Sequence, residues 1–276
     1  MKQLSSLALV MGCTTIDKTE HETLLALLNQ GTSSSDTAKD TSSHSEETGT
    51  PSEGFNSHFI NFTESDQFIH FGEIDALSTV LDWTHDWSIS FYLPQDLSST
   101  DAALTLMRNG ENWLGLSPNE EGFDLYLSNQ GDSDNNIIVA EFFESLDGNS
   151  RITITHNAAD SAILLYINGN SLTDDAVQSP QSNGTVGEVS VGQATGTSRA
   201  QNWTSGLDNM FVTNNTLSRS EVGFAASDDD ISQYVWYEQV VGWWLMGEDS
   251  FPTVQDRKYG NHGSFENGVE DNFVSY

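Results

Sequence analysis

Gly206-Leu-Asp-Asn-Met-Phe-Val-Thr-Asn-Asn-Thr-Leu-Ser-Arg-Ser-Glu-Val222 decides the fold class. Leu207 to Val212 reads as a half-buried strand. A polar turn follows. Thr216-Leu-Ser-Arg-Ser-Glu then reads as a short helical start. Ser218 is the candidate N-cap, and Glu221, three residues on, completes a capping box.

The sequence upstream supports this. From Phe55 onward, short alternating runs follow one another: His58–Phe62, Gln67–Phe71, Ser88–Leu93, Ala103–Met107, Asn112–Leu116 and Phe123–Leu127. Ile137–Phe142, Arg151–His156, Ala162–Ile167, Val186–Val191 and Leu207–Val212 continue the series. Alternation places Ile89, Phe91 and Leu93 on one face, and likewise Ile152 and Ile154. Asn168-Gly169 marks a tight hairpin, since both residues accept positive φ. About a dozen strands with few helices between them predict an all-β, two-sheet antiparallel sandwich. The first two runs are expected to pair with each other.

The segments before Phe55 differ. Ile16 to Gln30 reads as a helix, with Thr15 or Asp17 as cap, acidic residues in its early turns and Gly31 after its end. Its Leu24, Leu25, Leu27 and Leu28 face is too small to stand alone, so the helix calls for a partner. Thr32 to Gly54 is rich in Ser, Thr, Asp and Glu and reads as a flexible acidic linker. The expected organisation is a helical anchor at 1–31, a linker at 32–54 and a β-domain at 55–276.

The 276-residue chain carries 9 Lys plus Arg against 41 Asp plus Glu, a formal net charge of -32. No basic residue occurs between Lys39 and Arg108. Such a surface repels nucleic acid and anionic membranes, and it favours calcium or a basic protein surface. A heavily hydrated, soluble surface accounts for the same charge. Cys13 is the only cysteine, so no intrachain disulfide can form. Val10-Met-Gly-Cys13 resembles a bacterial lipobox, although Met11 fits it poorly and the apolar run before it is short. No run of 18 apolar residues exists, so no membrane-spanning helix is expected.

The Gly206–Val222 stretch resembles the closing segment of laminin-G-like, concanavalin-A-like jelly rolls. There a Gly-x-Asp-Asp/Asn strand start leads into a Leu-Ser-x-x-Glu tail. The segment from Tyr237 through Val240-Val-Gly-Trp-Trp-Leu-Met-Gly247, Phe251-Pro-Thr253, Asp256 and Gly260-Asn-His-Gly263 resembles C-terminal extensions of such domains in structural proteins of tailed phages, especially marine ones. Ser57-His-Phe-Ile-Asn-Phe-Thr-Glu-Ser-Asp-Gln-Phe-Ile69 looks like the family's opening strand pair. The resemblance implies a jelly roll over residues 55 to about 272. It also implies a module that binds rather than catalyses.

The chemistry readings are few. Glu73-Ile-Asp75 resembles the start of the Glu-x-Asp-x-x-Glu strand of jelly-roll glucanases, whose acid and nucleophile stand ~5–5.5 Å apart. Ser78 occupies the place of the second glutamate, so retaining hydrolysis is not expected, and the stretch reads equally as a surface turn. Gly-x-Ser-x-Gly is absent. The seven histidines show no paired metal-ligand spacing. Calcium is the best metal candidate, because it takes oxygen ligands. The resemblance suggests that it would tie Glu64 or Asp66 in the first hairpin to Asp208 on the last core strand. The alternative is that Asp208 caps a turn. Trp113, Trp203 and Trp236 are candidates for stacking on sugar rings at the rim, with burial as the alternative for each.

Two settings follow. In the first, the 16–30 helix attaches to a capsid, tail or fibre protein. The jelly roll then projects from the virion surface as a homo-oligomer and touches host glycans. In the second, the chain is a bacterial outer-membrane lipoprotein lectin anchored through Cys13.

Overall fold

The computed structural model describes residues 58–97, 103–129, 137–172, 176–181, 184–194, 200–227 and 230–276. Cys13, the 16–30 helix and the 32–54 linker lie outside the described residues.

The described chain forms two nine-stranded sheets packed as a sandwich. The first runs β10 (Asn170–Ser171), β9 (Ala162–Ile167), β8 (Ser150–Asn157), β3 (Trp87–Leu93), β14 (Gly206–Thr213), β1 (His58–Asn61) and β18 (Phe273–Ser275). Strand β11 (Val177–Gln178) also pairs with β9, and β15 (Val240–Trp244) with β14. The second runs β16 (Thr253–Val254), β17 (Gly263–Glu266), β2 (Phe68–Gly72), β12 (Val189–Val191), β4 (Ala103–Asn109), β5 (Asn112–Pro118), β6 (Phe123–Ser128) and β7 (Ile137–Phe142). Pairing is antiparallel except for β13 (Ala200–Asn202), which lies parallel to β4.

Alternation sets the core. Ile89, Phe91 and Leu93 of β3 and Ile152 and Ile154 of β8 face Leu114, Leu116, Leu125 and Leu127 of the second sheet, all in one buried cluster. The Asn168-Gly169 hairpin forms as read, with φ of 50° and 79°. The helix after β14, α1 (Arg219–Ser227), starts with the expected reciprocal cap. The Ser218 N–H donates to Glu221 Oε2 at 2.7 Å, and Ser218 Oγ accepts from the Glu221 N–H at 3.4 Å.

One pairing differs from the sequence reading. Strands β1 and β2 do not pair with each other; β1 sits between β14 and β18, and β2 between β12 and β17. The short connection after Asn61 crosses from one sheet to the other. The C-terminal segment supplies the missing partners, because β15 and β18 join the first sheet and β16 and β17 the second.

Strand β14 departs from regular geometry. Asp208 lies opposite Tyr92 and Phe211 opposite Ser90, so three steps on β14 match two on β3. Asn209 takes up the extra residue with φ 38°, in the region that asparagine tolerates. After this bulge Phe211 points outward, into a second apolar cluster with Leu217, Val222, Ala225, Ile231, Trp236 and Trp243. Helix α1 and the turns that follow it therefore cover the outer face of the first sheet.

Candidate functional site

The covered outer face is polar beneath its lid, and its strand-borne side chains are paired, although Trp236 Nε1 and Asn215 Oδ1 in the lid itself are buried without a hydrogen-bond partner. Ser90 Oγ and Thr153 Oγ1 hydrogen-bond across β3 and β8 at 2.9 Å. Ser88 Oγ donates to the Asn215 carbonyl and accepts from the Leu217 N–H. The Arg151 guanidinium donates to the Asn209 carbonyl at 2.8 Å. The Trp243 indole N–H donates to Asn209 Oδ1 at 3.0 Å. A ligand has no access to this face.

The second sheet has no such helical lid, and its outer face is open in part: Val139 and Glu141 are exposed and His70, Arg108, Tyr126 and Asp124 half-exposed, whereas Thr105, Trp113, Ser117, Ser128 and Ser190 are buried. Its register lays side chains out in rows. In one row Ser264, His70, Ser190, Arg108, Trp113, Ser128 and Ile137 stand opposite one another across successive strands. In the next stand Thr105, Gly115, Tyr126 and Val139, and then Ser117, Asp124 and Glu141. Gly115 has no room for a side chain, since a Cβ there would lie 2.8 Å from the Leu104 carbonyl oxygen and 3.0 Å from the Trp113 ring. The middle row stays flat around the half-buried Tyr126 as a result.

Tyr126 packs against Ala103, Trp113 and Ala200, which fixes its ring. Its hydroxyl lies 3.4 Å from Asp124 Oδ2, and Asn119 Nδ2 donates to Asp124 Oδ1 at 2.7 Å. Asn119 is itself held by the Glu121 and Gly122 amides, which donate to its Oδ1. Exposed Glu141 lies directly opposite Asp124. An anchored aromatic ring beside two carboxylates and an amide can hold a polyhydroxylated ligand, with the ring taking C–H faces and the polar groups taking hydroxyls.

Three buried polar atoms on this face, Thr105 Oγ1, Trp113 Nε1 and Ser190 Oγ, have no hydrogen-bond partner among the described residues. Each such group costs about 1–3 kcal/mol.

The three tryptophans proposed for sugar stacking are buried, each in a different apolar cluster. Trp203 is in the main core against Phe91, Trp236 lies under the lid on Phe211, and Trp113 sits beneath Ala103 and Ala200. None offers a ring face to solvent, because packing partners cover positions that alternation leaves outward. The calcium set does not assemble either. Glu64 and Asp66 are exposed on the turn beyond Asn61, whereas the β1–β14 register carries Asp208 in the opposite direction. Asp208 is buried and accepts from the Tyr276 hydroxyl at 2.7 Å and from the Asn209 N–H. Among the described residues no group of three His, Cys, Asp or Glu could hold a metal ion. Glu73 and Asp75 fall on an exposed turn after β2, where Ser78 Oγ caps the Asp75 carbonyl, so they share no strand face.

Tyr126 and Asp124 were not among the expected site residues. Their signal lay in Phe123-Asp-Leu-Tyr-Leu-Ser128. If Phe123, Leu125 and Leu127 face inward, Asp124 and Tyr126 must face out.

His156 is a buried titratable group away from this face. Its ring stacks on Trp87 at 5.2 Å and meets Trp83 edge-on. Nδ1 lies 2.8 Å from the His85 carbonyl and Nε2 3.1 Å from Ser179 Oγ. The carbonyl can only accept, so Nδ1 carries the proton and Nε2 accepts from the serine. Burial pushes its pKa below the usual histidine value, against upward pulls from the His85 carbonyl and from Asp86 and Asp82.

No family model matches the sequence, and no curated protein matches it. Solved structures do match in fold. A protein from Bacteroides ovatus assigned to carbohydrate binding superposes with a TM-score of 0.52 at 11% identity, over 80% of this chain and 62% of that one. A heptameric pentraxin from Limulus polyphemus gives 0.45 at 13% identity, over 63% of this chain and 84% of that one. The CBM40 module of a Ruminococcus gnavus sialidase, bound to α2,3-sialyllactose, gives 0.44 at 15% identity, over 61% of this chain and 95% of that one. At these identities the likeness is one of fold alone, that of a two-sheet antiparallel sandwich.

Proposed function

We propose that this chain is a non-catalytic glycan-binding jelly roll that uses the open face of its second sheet. The observation that carries the reading is the asymmetry of the sandwich. One outer face is sealed by α1 and the turns after it, while the other presents Tyr126, with Asp124 and Glu141 on the adjacent row and Asn119 on the turn beside them. The fold shared with the Bacteroides ovatus protein assigned to carbohydrate binding adds support. The test is retention of the full-length chain on a panel of neutral and acidic glycans. Binding should fall about tenfold or more in Tyr126→Ala, the loss of one stacked ring and its contacts. A chain that retains no glycan would overturn the reading.

The setting we propose is the surface of a virion, with residues 16–30 docked on a capsid, tail or fibre protein. It rests on the phage-like segment 237–263. Cryo-EM of purified particles tests it, and a particle that lacks the chain would refute it. The lipobox-like Val10-Met-Gly-Cys13 supports a second setting, a lipid-anchored bacterial lectin. Mass spectrometry of the N-terminus separates the two, because acylated Cys13 belongs only to the second.

A further inference from the structure

Arg108 stands out in a chain of net charge -32. It lies half-exposed on the open face, in the middle of the transverse row. Its Nε donates to the Gly110 carbonyl at 2.6 Å, which fixes the direction of the fork. Among the described residues its two terminal nitrogens have no hydrogen-bond partner, and no carboxylate comes within ion-pair distance. Glu111 feels the arginine charge, but its carboxylate accepts from the Thr185 amide instead. Glu188, two residues before Ser190 on the same segment, makes no ion pair with Arg108 either. Of the other described basic side chains, Arg151 is buried, Arg257 pairs with Asp249, and Lys258 lies over the rings of Tyr237 and Tyr259. Arg219 is exposed at the start of α1, on the lid side, so Arg108 is the described cation that the second sheet carries on its outer face.

The residues flanking Arg108 are short of acceptors. Ser190 lies directly opposite it on β12, and Trp113 directly opposite on β5. The Ser190 hydroxyl and the Trp113 indole N–H are both buried and both unpartnered. Beyond Ser190 stands half-exposed His70. Opposed positions on one sheet face are about 5 Å apart, so Ser190 and Trp113 each flank Arg108 at one strand's distance and His70 stands one strand beyond Ser190. Every one can donate, and a planar fork with two free nitrogens matches a carboxylate or a sulfate.

We infer that the Ser190–Arg108–Trp113 row is an anion subsite that makes the open face selective for acidic glycans, those bearing a carboxylate or a sulfate. This rests on the glycan-binding reading above. The row runs alongside the Tyr126 row, so one chain of sugars can stack on the ring and present its charged substituent to Arg108. Acidic surroundings exclude anions at long range, and the exposed fork readmits only those that reach it directly.

The test uses the full-length chain and matched polysaccharides: polygalacturonate against its methyl ester, and dextran sulfate against dextran. The first pair reports a carboxylate and the second a sulfate. The charged member of at least one pair should bind about 10- to 100-fold tighter than its neutral partner. Arg108→Gln, which keeps the stem of the side chain, should abolish that preference and leave neutral binding unchanged. Ser190→Ala should lower anionic binding without lowering the stability of the free protein, since it removes a hydroxyl that has no partner; a merely structural serine would show the opposite. Equal binding of charged and neutral members, unchanged by Arg108→Gln, would overturn the inference and leave the glycan reading standing. Binding of none of these and of no glycan on the wider panel would overturn both.

Discussion

The two outer faces of the sandwich treat the polar side chains borne on their strands differently. On the first sheet Ser88, Ser90, Arg151, Thr153 and Asn209 are sealed under α1 and the turns after it, and each has found a partner. On the second sheet Thr105, Ser190 and Trp113 are buried without partners beside exposed or half-exposed His70, Arg108, Tyr126 and Glu141. A face that is only structural satisfies its polar groups, because leaving them unpaired lowers stability. A face that keeps them unsatisfied is the one to examine for a ligand. The asymmetry comes from the C-terminal half of the chain, which is spent on lidding one side and edging both sheets.

The lid is where substitution should be most damaging. Trp236 is buried between Phe211 and Tyr234, with ring centroids 5.4 Å from each. Trp236→Ala removes the largest side chain of the lid cluster and should cost about 3–5 kcal/mol in urea unfolding. It should leave glycan binding by the folded fraction intact. If it abolished binding with no loss of stability, the division between a structural and a binding face would fail.

Asp256 should come next. Its carboxylate accepts from four backbone amides, those of Trp243, Lys258, Tyr259 and Asn261. It therefore folds the loop that follows β15 back on itself. Asp256→Ala strands all four donors near the edge of the lid and should cost about 2–3 kcal/mol. Asp256→Asn keeps one acceptor oxygen and should cost less. Equal melting temperatures for the two variants would count against this account.

These two residues lie where the local signals in the sequence run out. The strands of the central jelly roll follow from alternation, the hairpin from Asn168-Gly169 and the helix start from Ser218 and Glu221, all of them local signals. The tail gives no comparable signal. Strands β15 to β18 are two to five residues long; β17 and β18 pair with β2 and β1 from the other end of the described chain, and β15 reaches β14 only across the lid. The separate sheets of β1 and β2 were hidden for the same reason, since a short connection permits a hairpin and a crossover alike. The outward turn of Phe211 depends on the extra residue at Asn209, which alternation does not announce. Trp113 was correctly readable as outward, but its cover of Ala103 and Ala200 comes from other strands.

Acid supplies a perturbation that should spare the contrast between the faces. His156 lies at the end of the shared core, and its folded pKa is held below the unfolded value, first by burial. Between the two values the unfolded chain binds more protons, so stability is full above about pH 6.5 and declines as pH falls toward the folded pKa. Urea unfolding of the wild type from pH 7.5 to 5.5 should show this decline, and His156→Gln should flatten it. An unchanged slope in the variant would assign the acid sensitivity elsewhere.

The smallest effect is expected on the outside of the lid. Phe224 is 55% exposed and stacks on Tyr234 at 5.7 Å, next to Val235, which is 94% exposed. An exposed aromatic pair of this kind would be a sugar platform in its own right if aromatics alone made a site. It lacks what the Tyr126 row has, a paired set of carboxylates and an amide aligned with the ring by sheet register. Phe224→Ser should therefore change stability by no more than about 0.5 kcal/mol. It should also leave glycan retention at the wild-type level, while Tyr126→Ala loses it. The reverse pattern, retention lost with Phe224 and kept without Tyr126, would move the site from the open sheet to the lid.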